Sequence, residues 1–298
     1  MIRAPDLRRS LLFVAGADGA AHSQALQSWP DVLVQDLEDF TPQQSKQAAR
    51  EMSADLFTRA RARGMIPAVR VNVLSGLGTI DLAAVVPAKP ELILLPKAES
   101  AQQIAALAQE IERIETTQGF SVGKIEIVPT AETALGVINL KKIVQASSRV
   151  KSCVLGAEDL AADLVAVRTP QADELAYARS RFLLECRALG IEPIDPPYTY
   201  SDTDGCERES HRSRQLGYRS KSAVTAAHIN IIHRVFTPSP EEIDHAGRLV
   251  AAFEGARATG QDRALVDGLW IEPPAYLNAQ RLLERARRLD AISRAPTE

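Results

Sequence analysis

The chain has 298 residues and a mass of 32.4 kDa, enough for one α/β barrel of about 250 residues with an appendage, or for two ordinary domains. Hydrophobic residues make up 45% and charged residues 24%, which excludes a disordered chain. With 35 Lys+Arg against 38 Asp+Glu the net charge is -3, so there is no general electrostatic reason to bind nucleic acid or an anionic membrane.

Cys153, Cys186 and Cys206 have no CxxC spacing. A disulfide scaffold and a structural zinc site are not expected, and a reducing cytoplasm is. No apolar run approaches the roughly 18 residues of a membrane helix. Near the start, Arg8-Arg9 followed by Leu11 to Ala17 has the outline of a short secretory signal. Asp18 closes the run without a cleavage motif, so a buried first strand is the better reading.

In chain order, strands are predicted at Ser10–Ala15, Asp31–Asp36, Ile66–Asn72, Glu91–Pro96, Lys124–Thr130, Val150–Leu155, Ile191–Ile194 and Arg219–Val224. Most are bare apolar runs, as in parallel strands covered on both faces. Helical patterns separate them, at Pro42–Arg63, Ala101–Thr116 and Glu174–Leu189. Strands alternating with helices predict a (β/α)8 TIM barrel. No glycine-rich phosphate fingerprint follows the first strand, so a doubly wound sheet is the weaker alternative.

A boundary is predicted at Thr237-Pro238-Ser239-Pro240, dividing a barrel over 1–236 from a helical segment over 237–298. Ser239 and Glu242 form a capping-box pattern with Pro240 at the first helical position. The helix is expected to end at Gly255 or in the polar stretch Thr259–Arg263, and a second to run over Ala275–Arg288. This segment is too small for a core of its own, so packing on the barrel or on a neighbouring subunit is expected.

Barrel chemistry lies at the C-terminal ends of strands. Those ends carry Asp36, Glu38 and Asp39, then Arg70 and Asn72, Lys97, Glu132, and Glu158 with Asp159. Carboxylates gathered at one mouth repel one another unless a cation neutralises them. Oxygen-only ligands suit Mg2+, or Mn2+, and Glu132 with Asp159 is the chosen metal pair. Taken singly, each carboxylate fits an ordinary helix cap or loop residue better than a ligand. His22, His211, His228, His233 and His245 lack zinc-ligand spacing, and only His228 falls near a barrel mouth.

An ordered set of stretches sharpens this. Arg8-Arg9-Ser10-Leu11-Leu12-Phe13-Val14, Asp36-Leu37-Glu38-Asp39, Val69-Arg70-Val71-Asn72, Leu95-Pro96-Lys97, Ala131-Glu132-Thr133-Ala134-Leu135-Gly136 and Gly156-Ala157-Glu158-Asp159-Leu160 resemble the citrate lyase β-subunit-like family of HpcH/HpaI-type aldolases. So do the stretch from Arg168-Thr169-Pro170 to Ala178-Arg179-Ser180 and Phe236-Thr237-Pro238-Ser239. The resemblance covers nearly the whole chain. It implies a (β/α)8 barrel assembled as a trimer or hexamer, with magnesium on Glu132 and Asp159. It also implies that Arg70 grips the carboxylate of a keto or hydroxy acid, a task for which a bidentate guanidinium is suited.

On that resemblance the protein is expected to be a lyase that cleaves or forms a 3-hydroxyacyl-CoA thioester of the malyl-, citramalyl- or citryl-CoA type. Its catalytic candidates are Arg70, Glu38 and Glu272, with Glu272 as the acid/base reaching a neighbour's site from Gly268-Leu269-Trp270-Ile271-Glu272-Pro273. Its substrate-binding candidates are Arg70, Glu132, Asp39, Asn72 and Lys97. Arg8 and Arg9 are considered for CoA phosphates against plain surface charge. Departures are Glu272 for the usual Asp, Ala15 for a common Pro, and Ser220-Lys221 followed by Thr225-Ala226 where Gly-Lys and His-Pro are common. A CoA-independent pyruvate or oxaloacetate aldolase, and a non-catalytic keto-acid or CoA-ester binder, are the competing expectations.

Overall fold

In a computed structural model, residues 3–294 are described. The remaining residues, at the outer ends of the two predicted domains, lie outside the described part. Eight parallel strands close a barrel in sequence order: β1 Ser10–Ala15, β2 Val32–Asp36, β3 Ile66–Arg70, β4 Leu92–Leu95, β5 Glu126–Ala131, β6 Ser152–Leu155, β7 Glu192–Asp195 and β8 Ser220–Ala223. β1 pairs with both β2 and β8, which removes the sheet edges. Helices follow the strands, so the fold is a (β/α)8 TIM barrel with a helical C-terminal part.

All eight predicted strands are present, with ends shifted by at most two residues. Alternate side chains fill the barrel: Leu11 and Phe13 of β1, Val32 and Val34 of β2, and Leu92 and Leu94 of β4 are among a buried inner cluster. The N-terminal apolar run is therefore a barrel strand. No described helix is long and apolar enough to cross a membrane.

Arg8 and Arg9 sit at the opposite end of the barrel from the strand C-termini and are held by ion pairs. Arg8 Nη2 donates to Glu126 Oε2 at 2.8 Å, and Arg9 chelates Asp31 with two bonds of 2.9 Å. That overturns both readings considered for them, since neither is plain surface charge nor free to meet a phosphate. Lys221, on the outer face of β8, is fully buried against Asp195 and Glu209, and so is also unavailable to an acyl carrier. Cys153 is a buried thiol whose Sγ lies 3.1 Å from the Pro129 carbonyl oxygen, and burial pushes its pKa up.

The described residues form two compact units that divide between Arg234 and Val235. In the second, a helix over Pro240–Ala258 begins at the Ser239–Glu242 capping box and continues through Gly255. It ends in the polar stretch because nothing there extends its apolar face. A short hairpin follows, β9 Ala264–Val266 and β10 Leu269–Ile271, then a helix over Pro273–Arg294. The two turn residues, Asp267 and Gly268, both have positive φ, the pattern of a type I′ hairpin turn. Phe253, Ala264 and Ile271 form a small core, with Phe253 stacked on Tyr276 at 4.6 Å between ring centroids.

Candidate active site at the C-terminal mouth of the barrel

Asp36, the last residue of β2, organises the mouth. It is fully buried and accepts the backbone N–H of Glu38 at 2.8 Å and of Phe40 at 3.0 Å. The same carboxylate receives Arg70 in a two-point grip, Nε to Oδ1 at 2.8 Å and Nη2 to Oδ2. Arg70 Nη1 reaches Glu38 Oε2 at 3.1 Å. Its guanidinium lies 5.3 Å from the Phe13 ring centroid and 5.5 Å from that of Phe40. Burial works against its charge, but Asp36 and then Glu38 outweigh it and raise the pKa further above the ordinary arginine value. Arg70 is thus a fixed cation whose geometry is set from below by Asp36.

Glu132 follows β5 and is 3% exposed. The N–H of Lys97 donates to its Oε1 at 2.7 Å, which Lys97 achieves by taking a left-handed φ of 49°. Burial pushes the Glu132 carboxyl up to about 7. The Lys97 bond and Arg70 oppose the shift, while Asp159 and Glu38 add to it by repulsion. Gly156, at the end of β6, makes room for this side chain. A Cβ there would stand 2.4 Å from Glu132 Cβ and 2.8 Å from Oε2.

Glu132, Arg70, Asp39, Glu158 and Asp159 line one cavity of about 410 Å3. Asp159 lies in the first turn of the helix Glu158–Asp163 and is partly buried. Glu158 is exposed and is engaged by Arg168 at 3.1 Å and the Thr199 hydroxyl at 2.8 Å. Glu38 accepts Lys97 Nζ at 3.3 Å, and burial, more than its neighbours, raises its pKa.

Asn72 stands apart. Its amide donates to Leu37 O at 2.8 Å and Asp81 Oδ2 at 2.6 Å, and accepts Lys46 Nζ at 2.6 Å. Those bonds consume its polar atoms in the scaffold, so its expected role in binding substrate is not supported by its placement. His228 is buried with its ring 5.8 Å from that of Tyr198, and burial lowers its pKa. Glu272 belongs to the second unit. It is exposed, and its carbonyl accepts the N–H of Ala275 and Tyr276 at the start of the last helix. Trp270 of the same hairpin is 57% exposed, with Arg263 4.4 Å over its ring.

Three hydroxyl-bearing residues of the cavity were not singled out from sequence. Thr130 and Ser222 belong to β5 and β8, and Thr199 follows β7. The alternation of β5 carries the signal, because Val128, Thr130 and Glu132 share a face. What the cavity can hold follows from its donors. Glu132 and Asp159 offer carboxylate oxygens, and no histidine or cysteine among the described residues lines it. Among the described residues no three His, Cys, Asp or Glu side chains are grouped so as to hold a metal unaided. Two carboxylates are nevertheless what a magnesium ion commonly takes from protein, the other positions going to water and substrate.

The HpcH/HpaI aldolase/citrate lyase family profile matches residues 9–226. The chain belongs to this family. Citrate lyase subunit beta of Escherichia coli is 34% identical over 281 residues, covering 94% of this chain and 93% of that protein. A (3S)-malyl-CoA thioesterase of Cereibacter sphaeroides is 32% identical over 286 residues, covering 95% and 96%. Among solved structures, protein CitE from Mycobacterium tuberculosis in complex with magnesium, acetoacetate and coenzyme A aligns with a TM-score of 0.76 at 25% identity, covering 93% of this chain and 97% of that one.

Proposed function

We propose that the protein is a magnesium-dependent carbon–carbon lyase. It would cleave, or in reverse form, a 3-hydroxyacyl thioester of coenzyme A, with an acyl thioester and a 2-keto acid as the other partners. The observation that carries this reading is the meeting of Glu132, Asp159 and Arg70 around one cavity at the strand C-termini. Relatives named as citrate lyase subunit beta and (3S)-malyl-CoA thioesterase, and a similar structure solved with magnesium, acetoacetate and coenzyme A, support the substrate class.

Glu132 and Asp159 would hold the ion, and the raised proton affinity of Glu132 is what a carboxylate short of a cation shows. When bound, magnesium supplies Lewis-acid polarisation of the keto or hydroxyl oxygen. Arg70, anchored by Asp36 and lining the cavity, binds the carboxylate of the acid. In the cleavage direction the 3-hydroxyl loses its proton and the bond between C2 and C3 of the thioester breaks. The electron pair passes to the thioester as an enolate, whose carbon then takes a proton. Glu38, set between Arg70 and Lys97 with its pKa raised by burial, suits a group that accepts and returns a proton at the hydroxyl. Glu272 is proposed as the acid/base for the enolate carbon, supplied by a neighbouring subunit of a trimer or hexamer.

The test is turnover of malyl-, citramalyl- and citryl-CoA with and without EDTA, following keto acid and free thiol separately. Keto acid release that EDTA abolishes, and that Glu132→Ala removes, is expected. Activity surviving both chelation and Glu132→Ala overturns the metal role. Release of thiol without keto acid indicates thioester hydrolysis instead, as in the named activity of the Cereibacter relative.

A further inference from the structure

We propose that Gln103 is a positioning residue for the metal site. Its carboxamide holds the left-handed turn at Lys97, and through the Lys97 N–H it sets the carboxylate of Glu132 for a divalent cation. The proposal rests on the lyase reading and extends it to a side chain outside the cavity lining.

The first ground is a strained backbone. Lys97 has a φ of 49° without being glycine, a conformation that a residue with a Cβ keeps only where its surroundings hold it. In this conformation the Lys97 N–H donates to Glu132 Oε1 at 2.7 Å. A φ and ψ pair is fixed when both peptides meeting at the Cα are held. Glu132 holds the peptide on the N-terminal side of Lys97. The peptide on its C-terminal side is held at both polar groups: the Lys97 carbonyl accepts Gln103 Nε2 at 3.1 Å, and the Ala98 N–H donates to Thr130 O at 3.1 Å. Gln103 is the side chain in this arrangement, so it is the part that a substitution can remove.

The second ground is the choice of glutamine. Gln103 lies in the first turn of the helix Ala101–Thr117, and its carboxamide is used by the turn before that helix. Its Oε1 accepts the N–H of Glu99 at 2.8 Å and of Ser100 at 2.9 Å, while Ser100 Oγ accepts the Gln103 N–H at 3.4 Å. That half is a capping box, which a glutamate supplies equally well. The positive end of the helix dipole would favour the glutamate. The bond from Nε2 to the Lys97 carbonyl lies outside the capping box, and a carboxylate cannot make it. The oxygen of Gln103 therefore starts the helix, and its nitrogen holds Lys97. The loop between them has further anchors, since the Glu99 side chain accepts the Thr133 hydroxyl at 2.8 Å and its carbonyl accepts the Asn139 amide at 2.9 Å. Losing the Nε2 bond thus releases the Lys97 carbonyl without unravelling the loop.

The experiment is calorimetric titration of the full-length protein with magnesium at neutral pH. It is run on wild type, Gln103→Glu, Lys97→Gly and the double variant, with the Tm of each measured in EDTA. Gln103→Glu keeps the capping box but sets a carboxylate oxygen against the Lys97 carbonyl. It should bind magnesium about tenfold more weakly, as when a group supporting a metal ligand is lost. The added negative charge alone would act in the opposite direction. The Tm of Gln103→Glu in EDTA should stay within about three degrees of wild type, because the cap is retained. Glycine takes a left-handed φ without strain and can turn its carbonyl away while its N–H stays on Glu132. In the Lys97→Gly background the same change should therefore weaken magnesium by less than about threefold. An equal loss in both backgrounds, or a Tm lowered well beyond that margin in Gln103→Glu, makes Gln103 a structural residue only and overturns the proposal. A wild-type protein that binds no magnesium overturns the metal-dependent lyase reading and this proposal with it. Normal wild-type binding with an indifferent Gln103→Glu overturns this proposal alone.

Discussion

The Arg179–Asp195–Lys221–Glu209 network and the Asp36–Glu38–Arg70–Glu132 cluster belong to the same barrel, and both bury ionisable groups. In the first, two cations meet two carboxylates. Lys221 Nζ contacts Asp195 at 2.6 Å, Pro196 O at 2.7 Å and Glu209 at 2.8 Å. Arg179 donates to both oxygens of Asp195 and to Ser213 at 2.8 Å. Burial would raise the Asp195 pKa, but Arg179 and Lys221 overcome it and hold the carboxyl below its ordinary value. The mouth shows the reverse. Carboxylates outnumber cations there, and Glu132 is pushed up to about 7 chiefly by burial. A charge-balanced network is complete in the free protein. An unbalanced one is complete only with a cation and an anionic ligand in place, and that difference separates scaffold from site.

The comparison breaks most visibly at Lys221. Lys221→Met removes one partner and leaves Asp195 and Glu209 buried with Arg179 alone. A loss of about 3–5 kcal/mol is expected, as for other buried pairs cut on one side. Denaturant unfolding monitored by circular dichroism would measure it. A variant as stable as wild type would show that this network is not the structural partner of the comparison. Glu132→Gln, at the other cluster, is expected to leave the metal-free fold at least as stable, because it removes a carboxylate that burial and its acidic neighbours disfavour.

A smaller effect is expected from Gly156→Ala. The added methyl would overlap the Glu132 side chain, which has Lys97 N–H fixed on its far oxygen. Overpacking of this kind costs about 1–3 kcal/mol. Displacing the carboxylate should also weaken magnesium binding by about 10- to 100-fold, the range seen when the groups supporting a metal ligand are disturbed. Calorimetric titration with magnesium checks it. A full-strength metal site in Gly156→Ala would mean that Glu132 can bind metal from another position.

How much of this was legible beforehand depended on what each residue had to contact. The barrel strands stood out because a parallel strand covered on both faces is apolar throughout, as in Leu11-Leu12-Phe13-Val14. Gly19–Ser28, a helix capped by Asp18, did not stand out, since small and polar residues give it little amphipathic pattern. The hairpin at Asp267-Gly268 escaped because its strands have three residues each. At the mouth, strand ends marked Arg70, Glu132 and Asp159 as candidates. Sequence could not assign partners among so many carboxylates. Asp36 was one acid among several until its two-point grip on Arg70 was seen. Asn72 shares the strand-end position but spends its amide on Leu37, Asp81 and Lys46. Thr130 carried no chemical signal of its own, since a threonine in a strand is usually there for its shape.

The smallest expected effect sharpens the comparison through pH. Glu132 holds its proton up to about 7 when folded and releases it near 4.5 when unfolded. Between those values the folded state binds more protons than the unfolded one, so stability must fall as pH rises through the window. The Arg179–Asp195–Lys221–Glu209 network contributes in the opposite direction, because the depressed Asp195 loses its stabilising charge only as the pH falls toward acid. In EDTA, raising the pH from about 5 to about 7.5 should therefore lower the Tm through Glu132 by an amount on the order of a few degrees. Glu132→Gln should flatten that part of the profile. Saturating magnesium should flatten it too, because an ion bound to the carboxylate displaces the proton and favours the charged form. Melting curves of wild type and Glu132→Gln, with and without magnesium, would show this. A wild-type Tm that rises across the window as much as in the variant would mean that Glu132 is already compensated in the free protein, and that the mouth resembles the buried network after all.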